Sequence, residues 1–255
     1  MKKRIATSIL VTLVSVGITA VSSQAITFGD GGAALQGVLD GITTAPIAGD
    51  SSVDVTSDYL ADTTDSYWGI TASGGSISTV IIEIAGAAST NTFGVYNAGQ
   101  YVQLFDGAAT TQSQVALSLL ADGSVFVNFA DTGIDFVGTT FGYYLDASVY
   151  YTKPAGTADY VYHSDTNLNV DNFDHMAAYQ GTNTDTIQIG GLAPGLWTNN
   201  EYVLAFEDLY GGGDKDYTDF VVMVESVNPV PEPTTMLLFG AGLAGLAGVA
   251  RRRRK

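Results

Sequence analysis

The sequence predicts a mainly β protein: an antiparallel β-sandwich or jelly-roll-like domain with one short N-terminal helix. Three observations support this class. From residue 51 onward, short runs rich in Val, Ile, Tyr and Phe alternate with Gly, Asp, Asn and Ser, which is the pattern of strands and turns. The turn residues recur about every 8–12 positions, as they do in sandwiches and barrels. The chain also contains 14 Tyr and 11 Phe, residue types that are enriched in strands.

The first 25 residues have the composition of a secretory signal peptide. A basic start at residues 2–4 precedes an uncharged apolar stretch over residues 5–21, and Ser23 and Ala25 are small residues at the spacing of a cleavage site. We therefore expect residues 1–25 to be removed on export and the mature chain to begin at Ile26. The alternative is an uncleaved N-terminal anchor, although the apolar stretch is short for a helix that crosses a membrane.

One helix is predicted over residues 31–40, because Leu35, Val38 and Leu39 fall on one face of a helix there. A hairpin turn is predicted at residues 121–123, where Asp-Gly favours the positive φ of tight turns. The predicted strands cover residues 78–84, 92–96, 101–105, 114–119, 124–129, 140–145, 148–151, 160–163, 175–179, 186–189, 202–206 and 220–225.

The C-terminal segment combines three features in a fixed order. Residues 228–233 are rich in proline, which predicts an extended linker after the β domain. Residues 234–250 are apolar and predict a transmembrane helix of about 25 Å, which is short against a hydrocarbon core of about 30 Å. Residues 251–255 are all basic, so we expect this end of the helix to lie in the cytoplasm.

The sequence Pro231-Glu232-Pro233, followed by the apolar run and the basic cluster, resembles the PEP-CTERM sorting signal of Gram-negative bacteria. The resemblance implies that an exosortase-type enzyme processes the tail and that the inner membrane anchors the chain transiently. It also implies export across the inner membrane to the cell surface or the extracellular space. The resemblance covers the tail alone and leaves the role of the exported part open.

The exported part, residues 26–227, is large enough to bury a core as one domain, and it is strongly acidic. It contains Lys153 and Lys215 but no arginine, against 25 of the chain's 26 Asp and Glu residues. Nucleic-acid binding depends on Lys and Arg contacts to phosphate, so we expect no nucleic-acid partner. A divalent cation is compatible with this charge. The chain has no Cys, which excludes disulfides, cysteine nucleophiles and thiolate metal sites.

One acidic loop is the strongest candidate for a ligand site. Between the predicted strands 202–206 and 220–225 lie three consecutive glycines and five carboxylates, Glu207, Asp208, Asp214, Asp216 and Asp219. Calcium takes six to eight oxygen ligands from carboxylates and carbonyls on such loops, so the sequence predicts a Ca²⁺ site here. It is not an EF-hand, because Asp219 occupies the position where an EF-hand loop needs glycine. The alternative is a solvated acidic turn.

A second, weaker candidate is a segment rich in Asp and Asn that we expect to lie near the first loop. Side chains of this type usually stabilise turns rather than bind ions. Its members are Asp165, Asn167, Asn169, Asp171, Asn172 and Asp174.

The stretch FEDLYGGGDKDYTDFVV, residues 206–222, resembles the hallmark of an uncharacterised bacterial β domain that is often found upstream of PEP-CTERM tails. The resemblance extends over about residues 141–227. Related proteins often carry this domain next to adhesive or calcium-associated modules, so the likeness implies a binding or structural role at the surface and no established activity.

We expect this protein not to be an enzyme. Its only histidines, His163 and His175, lie within predicted strands, and the chain has neither His-Glu-x-x-His nor Gly-x-Ser-x-Gly. We expect a cell-surface or extracellular-matrix protein that binds calcium and is associated with exopolysaccharide in biofilm. The alternative is a calcium-dependent, lectin-like carbohydrate-binding module. A glycan-cleaving enzyme is a third possibility, since two of the many carboxylates can pair in space.

Overall fold

The computed structural model of this protein describes residues 25–72, 75–82, 90–148 and 160–231. The predicted signal peptide up to residue 24, the transmembrane helix over residues 234–250 and the basic tail lie outside the described residues. So do Glu232 and Pro233 of the sorting motif and most of the predicted strand 148–151. No helix in the four described ranges is long and apolar enough to cross a membrane.

Strands dominate the described residues. The helices are α1 (Ala33–Ile42) and α2 (Asp62–Asp65), with short 3-10 helices at Thr166–Leu168 and Tyr210–Gly212. The strands are β1 (Thr43–Ala45), β2 (Trp68–Ile70), β3 (Ser76–Ile82), β4 (Thr92–Asn97), β5 (Gln100–Phe105), β6 (Gln114–Leu119), β7 (Ser124–Val127), β8 (Ala130–Asp135), β9 (Thr140–Asp146), β10 (Val161–His163), β11 (Met176–Gln180), β12 (Thr186–Ile187), β13 (Gly195–Leu196), β14 (Glu201–Phe206), β15 (Phe220–Glu225) and β16 (Val227–Pro229).

The strands form a sandwich of two large antiparallel sheets, which confirms the predicted fold class. One sheet has the order β11-β14-β15-β3-β6-β7-β8. The other has the order β16-β2-β9-β4-β5. Strand β10 pairs with the last residues of β9, 144–146, on the side opposite β4. A small third sheet, β1-β12-β13, lies beside them. Every strand pair within the described ranges is antiparallel.

Aromatic rings fill the space between the two large sheets. Trp68 of β2 meets Tyr143 of β9 and Tyr202 of β14 edge-on, with ring centroids 5.7 and 4.8 Å apart. Phe93 of β4 stacks on Phe220 of β15 at 5.0 Å. All five side chains are buried, so this core joins the sheets through side chains of both. Packing of this kind contributes beyond the buried area itself.

The seven-stranded sheet is covered on its other face as well. Along β14, Tyr202 and Phe206 point into the sandwich core, while Val203 and Ala205 belong to a second apolar cluster. Helix α1 closes that cluster with Leu35, Leu39 and Ile42, which repeat at helical spacing. The strand that leads into the acidic loop is therefore buried on both faces, and it forms a rigid base for the loop.

The structure contains several short elements that the sequence pattern did not predict: α2, β1, β2, β8, β13 and β16. Most have two to four residues, too few to show a period. The predicted strand 124–129 ends at Val127, because Asn128 and Phe129 adopt positive φ and turn the chain into β8. Residues Asn228 and Pro229, which we predicted to begin the linker, pair with β2 instead. Proline is compatible with this position because β16 is the edge strand of its sheet.

Candidate metal site

The acidic loop connects β14 to β15, two paired strands near the end of the seven-stranded sheet. Glu207 is the first residue after β14, and its N–H donates to the carbonyl of His175, next to β11. The loop then forms the 3-10 turn Tyr210–Gly212 before the chain enters β15. Its base is thus held by three adjacent strands, and functional loops on rigid frames of this kind are common.

The three glycines give the loop its shape. Gly211, Gly212 and Gly213 all have positive φ, at 70°, 82° and 49°, a conformation in which other residues are strained. A Cβ at Gly212 would lie 2.2 Å from the ring of Phe173, so the backbone passes directly over that ring. Lys215 covers the same ring, with its Nζ 5.3 Å from the centroid. The glycines therefore allow the loop to pack closely against Phe173.

Three of the five predicted ligands converge. One carboxylate oxygen from each of Glu207, Asp214 and Asp216 lies within 4.8 Å of the others. Glu207 is 0% exposed; its Oε1 accepts a hydrogen bond from the N–H of Tyr217 at 2.6 Å, while its Oε2 has no hydrogen-bond partner. Asp214 is exposed and Asp216 is half-buried. The cluster is thus a half-open cup, and its buried member, Glu207, has one oxygen without a hydrogen-bond partner.

The electrostatics of the cup are unfavourable in the absence of a cation. Burial, together with repulsion from Asp219, Asp214 and Asp216, raises the pKa of Glu207 to about 9. Burial and the neighbouring carboxylates likewise raise the pKa of Asp219 to about 7. Both shifts mean that ionising these groups is costly where no positive charge is near.

The other two predicted ligands, Asp208 and Asp219, lie beside the cup rather than in it. The N–H of Asp208 donates to Asp219 Oδ2 at 2.9 Å. The side-chain amide of Asn91 donates to Asp208 Oδ2 at 3.1 Å. These two carboxylates contribute negative charge to the loop and hold the start of β15 against the end of β14.

The second acidic segment does not gather into one site. The side chain of Asp165 accepts the N–H of Asn167 at the start of a 3-10 helix. The side-chain amide of Asn169 accepts the N–H of His163 and donates to its carbonyl. Asp171 supports the first loop: its Oδ2 contacts His175 Nε2 at 3.0 Å and accepts the N–H of Gly211 at 2.7 Å. Although burial opposes it, these hydrogen bonds keep the pKa of Asp171 at about 2. The prediction that this segment lies near the loop is met through Asp171.

Sequence reasoning missed several residues that position the loop. The N–H of Gly29 donates to the carbonyl of Lys215 at 3.0 Å, and a Cβ at Gly29 would lie 2.0 Å from the carbonyl oxygen of Asp214. Tyr217 spans the region, donating from its N–H to Glu207 and from its OH to the carbonyl of Asp174 at 2.7 Å. These contacts link segments that are distant in the chain, so no local sequence pattern predicts them.

Two family models match the chain. A domain of unknown function (DUF4114) matches residues 137–227, which agrees with the resemblance predicted over about residues 141–227 and includes the whole acidic loop. The PEP-CTERM protein-sorting motif matches residues 229–255. No curated protein and no solved structure is significantly similar to the chain. The sorting motif implies an exported protein that passes through a membrane-anchored stage and is processed by an exosortase-type enzyme.

Proposed function

We propose that the exported domain is a calcium-binding, non-catalytic component of the cell surface or extracellular matrix, with Ca²⁺ held by Glu207, Asp214 and Asp216. The observation that carries this proposal is the Oε2 of Glu207, which is buried and has no hydrogen-bond partner. Buried carboxylate oxygens are normally satisfied. Glu207 also offers a carboxylate oxygen within 4.8 Å of oxygens of Asp214 and Asp216, and a cation would satisfy such a group.

The chemistry of the donors favours calcium among the metals. All three side chains offer oxygen, the ligand type of hard cations, and no thiolate is available because the chain has no Cys. The loop is irregular and rich in glycine, which suits the flexible coordination of Ca²⁺ better than the strict octahedron of Mg²⁺. Because Asp214 is exposed, the bound ion would retain positions open to water or to an acidic exopolysaccharide of a biofilm matrix.

The two histidines support a non-catalytic role. His163 Nε2 lies 2.8 Å from the OH of Tyr101. His175 is buried between Asp171 and the carbonyl of Glu207, with Tyr162 stacked on its ring at 3.7 Å. Each is engaged in contacts that hold elements together.

Calcium titration calorimetry tests this proposal. We expect the full chain, solubilised in detergent at neutral pH, to bind Ca²⁺, and the variant Asp214→Asn/Asp216→Asn to lose that binding, because amides carry no charge to balance the ion. The matched control is Asp50→Asn/Asp135→Asn, which removes two exposed carboxylates that are not part of the cup. Equal binding by both variants and the unaltered chain would contradict the proposal.

A lectin-like role is the second candidate, favoured by Tyr210. This ring is 62% exposed and lies in the loop between Glu207 and the glycines, where a sugar that contacts the ion can stack on it. In this case we expect retention on an immobilised glycan that requires Ca²⁺, is competed by free sugar, and is lost in Tyr210→Ala. If Tyr210→Ala is retained on the glycan as strongly as the unaltered chain, the lectin-like role is contradicted and only the structural role remains.

A further inference from the structure

The segment of residues 164–170, which follows β10, has a polar side chain inside and apolar side chains outside. Asn169 is 2% exposed; its side-chain amide accepts the N–H of His163 and donates to the carbonyls of His163 and Phe173. On either side of it, Leu168 and Val170 are 50% and 52% exposed. Single exposed apolar side chains are ordinary. These two, however, are held at the surface together by the buried residue between them.

The chain leaves the folded domain beside this segment. Strand β16 pairs with β2, and the N–H of Val230, just after β16, donates to the carbonyl of Tyr67, just before β2, at 2.7 Å. The OH of Tyr67 donates to Asp165 Oδ2 at 2.9 Å. The N–H of Leu168 in turn donates to the carbonyl of Asp165 at 2.9 Å. Three hydrogen bonds therefore connect the exit of the chain to Leu168.

The direction of β16 leads to the same place. Because β16 is antiparallel to β2, the chain beyond Val230 runs past Tyr67 towards Ser66. The carbonyl of Ser66 accepts the hydroxyl of Ser164, the first residue of the segment, at 2.7 Å. Pro231, the last described residue, is exposed. The chain therefore enters solvent next to residues 164–170.

Little chain separates this exit from the membrane. The sorting motif implies a membrane-anchored stage, and the apolar run that we expect to cross the membrane begins at Thr234. The four steps from Val230 to Thr234 span at most about 14 Å. The headgroup layer takes about 5–8 Å of this reach, which is half the difference between a whole bilayer and its hydrocarbon core. In the anchored chain, the exit side of the domain therefore lies against the bilayer.

We propose that Leu168 and Val170 form a membrane contact, and that their side chains insert among the headgroups of the bilayer that holds the tail. Transfer of apolar side chains out of water is favourable, and the short tether gives the patch a high effective concentration at the surface. The contact fixes the orientation of the anchored domain and is lost when the tail is cut. It depends on the sorting motif and is independent of the calcium site.

Site-specific fluorescence quenching tests this contact, because the chain has no Cys and single cysteines can be labelled cleanly. The full chain, with its tail intact, is anchored in phosphatidylcholine vesicles that contain lipids with a nitroxide on the headgroup. We expect a fluorophore at Leu168→Cys or at Val170→Cys to lose most of its emission. The expected loss is the same in EDTA and in CaCl₂.

The matched control is Phe129→Cys, an apolar position that is 83% exposed. It lies in the turn between β7 and β8, at one edge of the seven-stranded sheet, whereas Trp68 of β2 packs on Tyr202 of β14 near the other edge. A fluorophore there should keep its emission. Quenching at Phe129→Cys as strong as at the other two positions, or no quenching at any of them, would overturn the proposal.

A second variant tests the reason for the contact. Insertion of ten Gly and Ser residues after Pro231 adds about 16–19 Å of reach, so quenching at Leu168→Cys and Val170→Cys should fall towards the level of the control. Quenching that is unchanged by the insertion would show that the short linker does not place this patch at the bilayer.

Discussion

Replacing Glu207 by glutamine is expected to raise the thermal stability of the calcium-free protein and to abolish its stabilisation by calcium at the loop. Glutamine keeps an oxygen for the N–H of Tyr217 and removes a carboxyl whose ionised form is opposed by burial and by Asp219, Asp214 and Asp216. Because the unfolded chain gains free energy by ionising Glu207 at neutral pH and the folded state does not, the substitution favours the folded state when no ion is present. The same change removes the buried ligand, so the ion loses its strongest contact.

The size of the effect follows from linkage. A ligand that binds only the folded state adds about 2.7 kcal/mol at 100 times its dissociation constant, and 1 kcal/mol shifts the melting temperature of a domain this size by roughly 2–4 °C. We therefore expect the loop site to account for roughly 5–10 °C of the difference between excess Ca²⁺ and EDTA, and Glu207→Gln to lack that part.

The matched control is Glu225→Gln, at the far end of β15. Burial and the charge of Glu201 raise the pKa of Glu225, so this variant also relieves a disfavoured carboxylate, but it lies away from the cup. It should keep the full response to calcium. An equal response in Glu207→Gln would show that Glu207 does not bind the ion.

The calcium-free protein is expected to lose stability as pH rises from about 5 to 8. Burial is the main cause that raises the pKa of Glu207 to about 9, of Asp174 to about 8 and of Asp219 to about 7. At pH values between the unfolded and folded pKa, the unfolded chain has released protons that the folded state retains, so stability falls as pH rises. The slope is at most about 1.4 kcal/mol per pH unit for each group.

Calcium should reverse much of this trend, because the ion binds the ionised carboxylates and competes with protons. The gap in melting temperature between Ca²⁺ and EDTA should therefore widen from pH 5 to pH 8. Thermal unfolding at several pH values in both solutions measures it. A melting temperature in EDTA that stays level or rises over this range would mean that these carboxylates are solvated and ionised without an ion.

The sequence pattern was sufficient for the long elements and insufficient for the short ones. Strands β6 and β15 begin and end where predicted, because six consecutive residues of strand character stand between clear turns. Helix α1 lies two residues beyond its predicted range, since Asp30 accepts the N–H groups of Gly32 and Ala34 and so fixes the start. Strands of two or three residues form because a partner strand lies beside them, and the local sequence does not show which strand that is.

The same distinction holds for the candidate sites. The glycine loop could be found from sequence because its carboxylates lie within a few residues of one another. The burial of Glu207 could not, since it depends on β11 and on the N-terminal segment at Gly29. The sequence pattern placed Asp174 with its neighbours in the chain, whereas in the fold its carbonyl accepts the hydroxyl of Tyr217 in the acidic loop, 43 positions away.

A crystal structure of the protein grown in millimolar CaCl₂ tests the central claim most directly. We expect a bound ion with oxygens of Glu207, Asp214 and Asp216 at the Ca²⁺–oxygen distance of about 2.3–2.6 Å. In that structure Glu207 Oε2 would no longer lack a partner. A cup that holds only water, with Glu207 hydrogen-bonded to protein or solvent at saturating calcium, would contradict the account and leave an acidic turn.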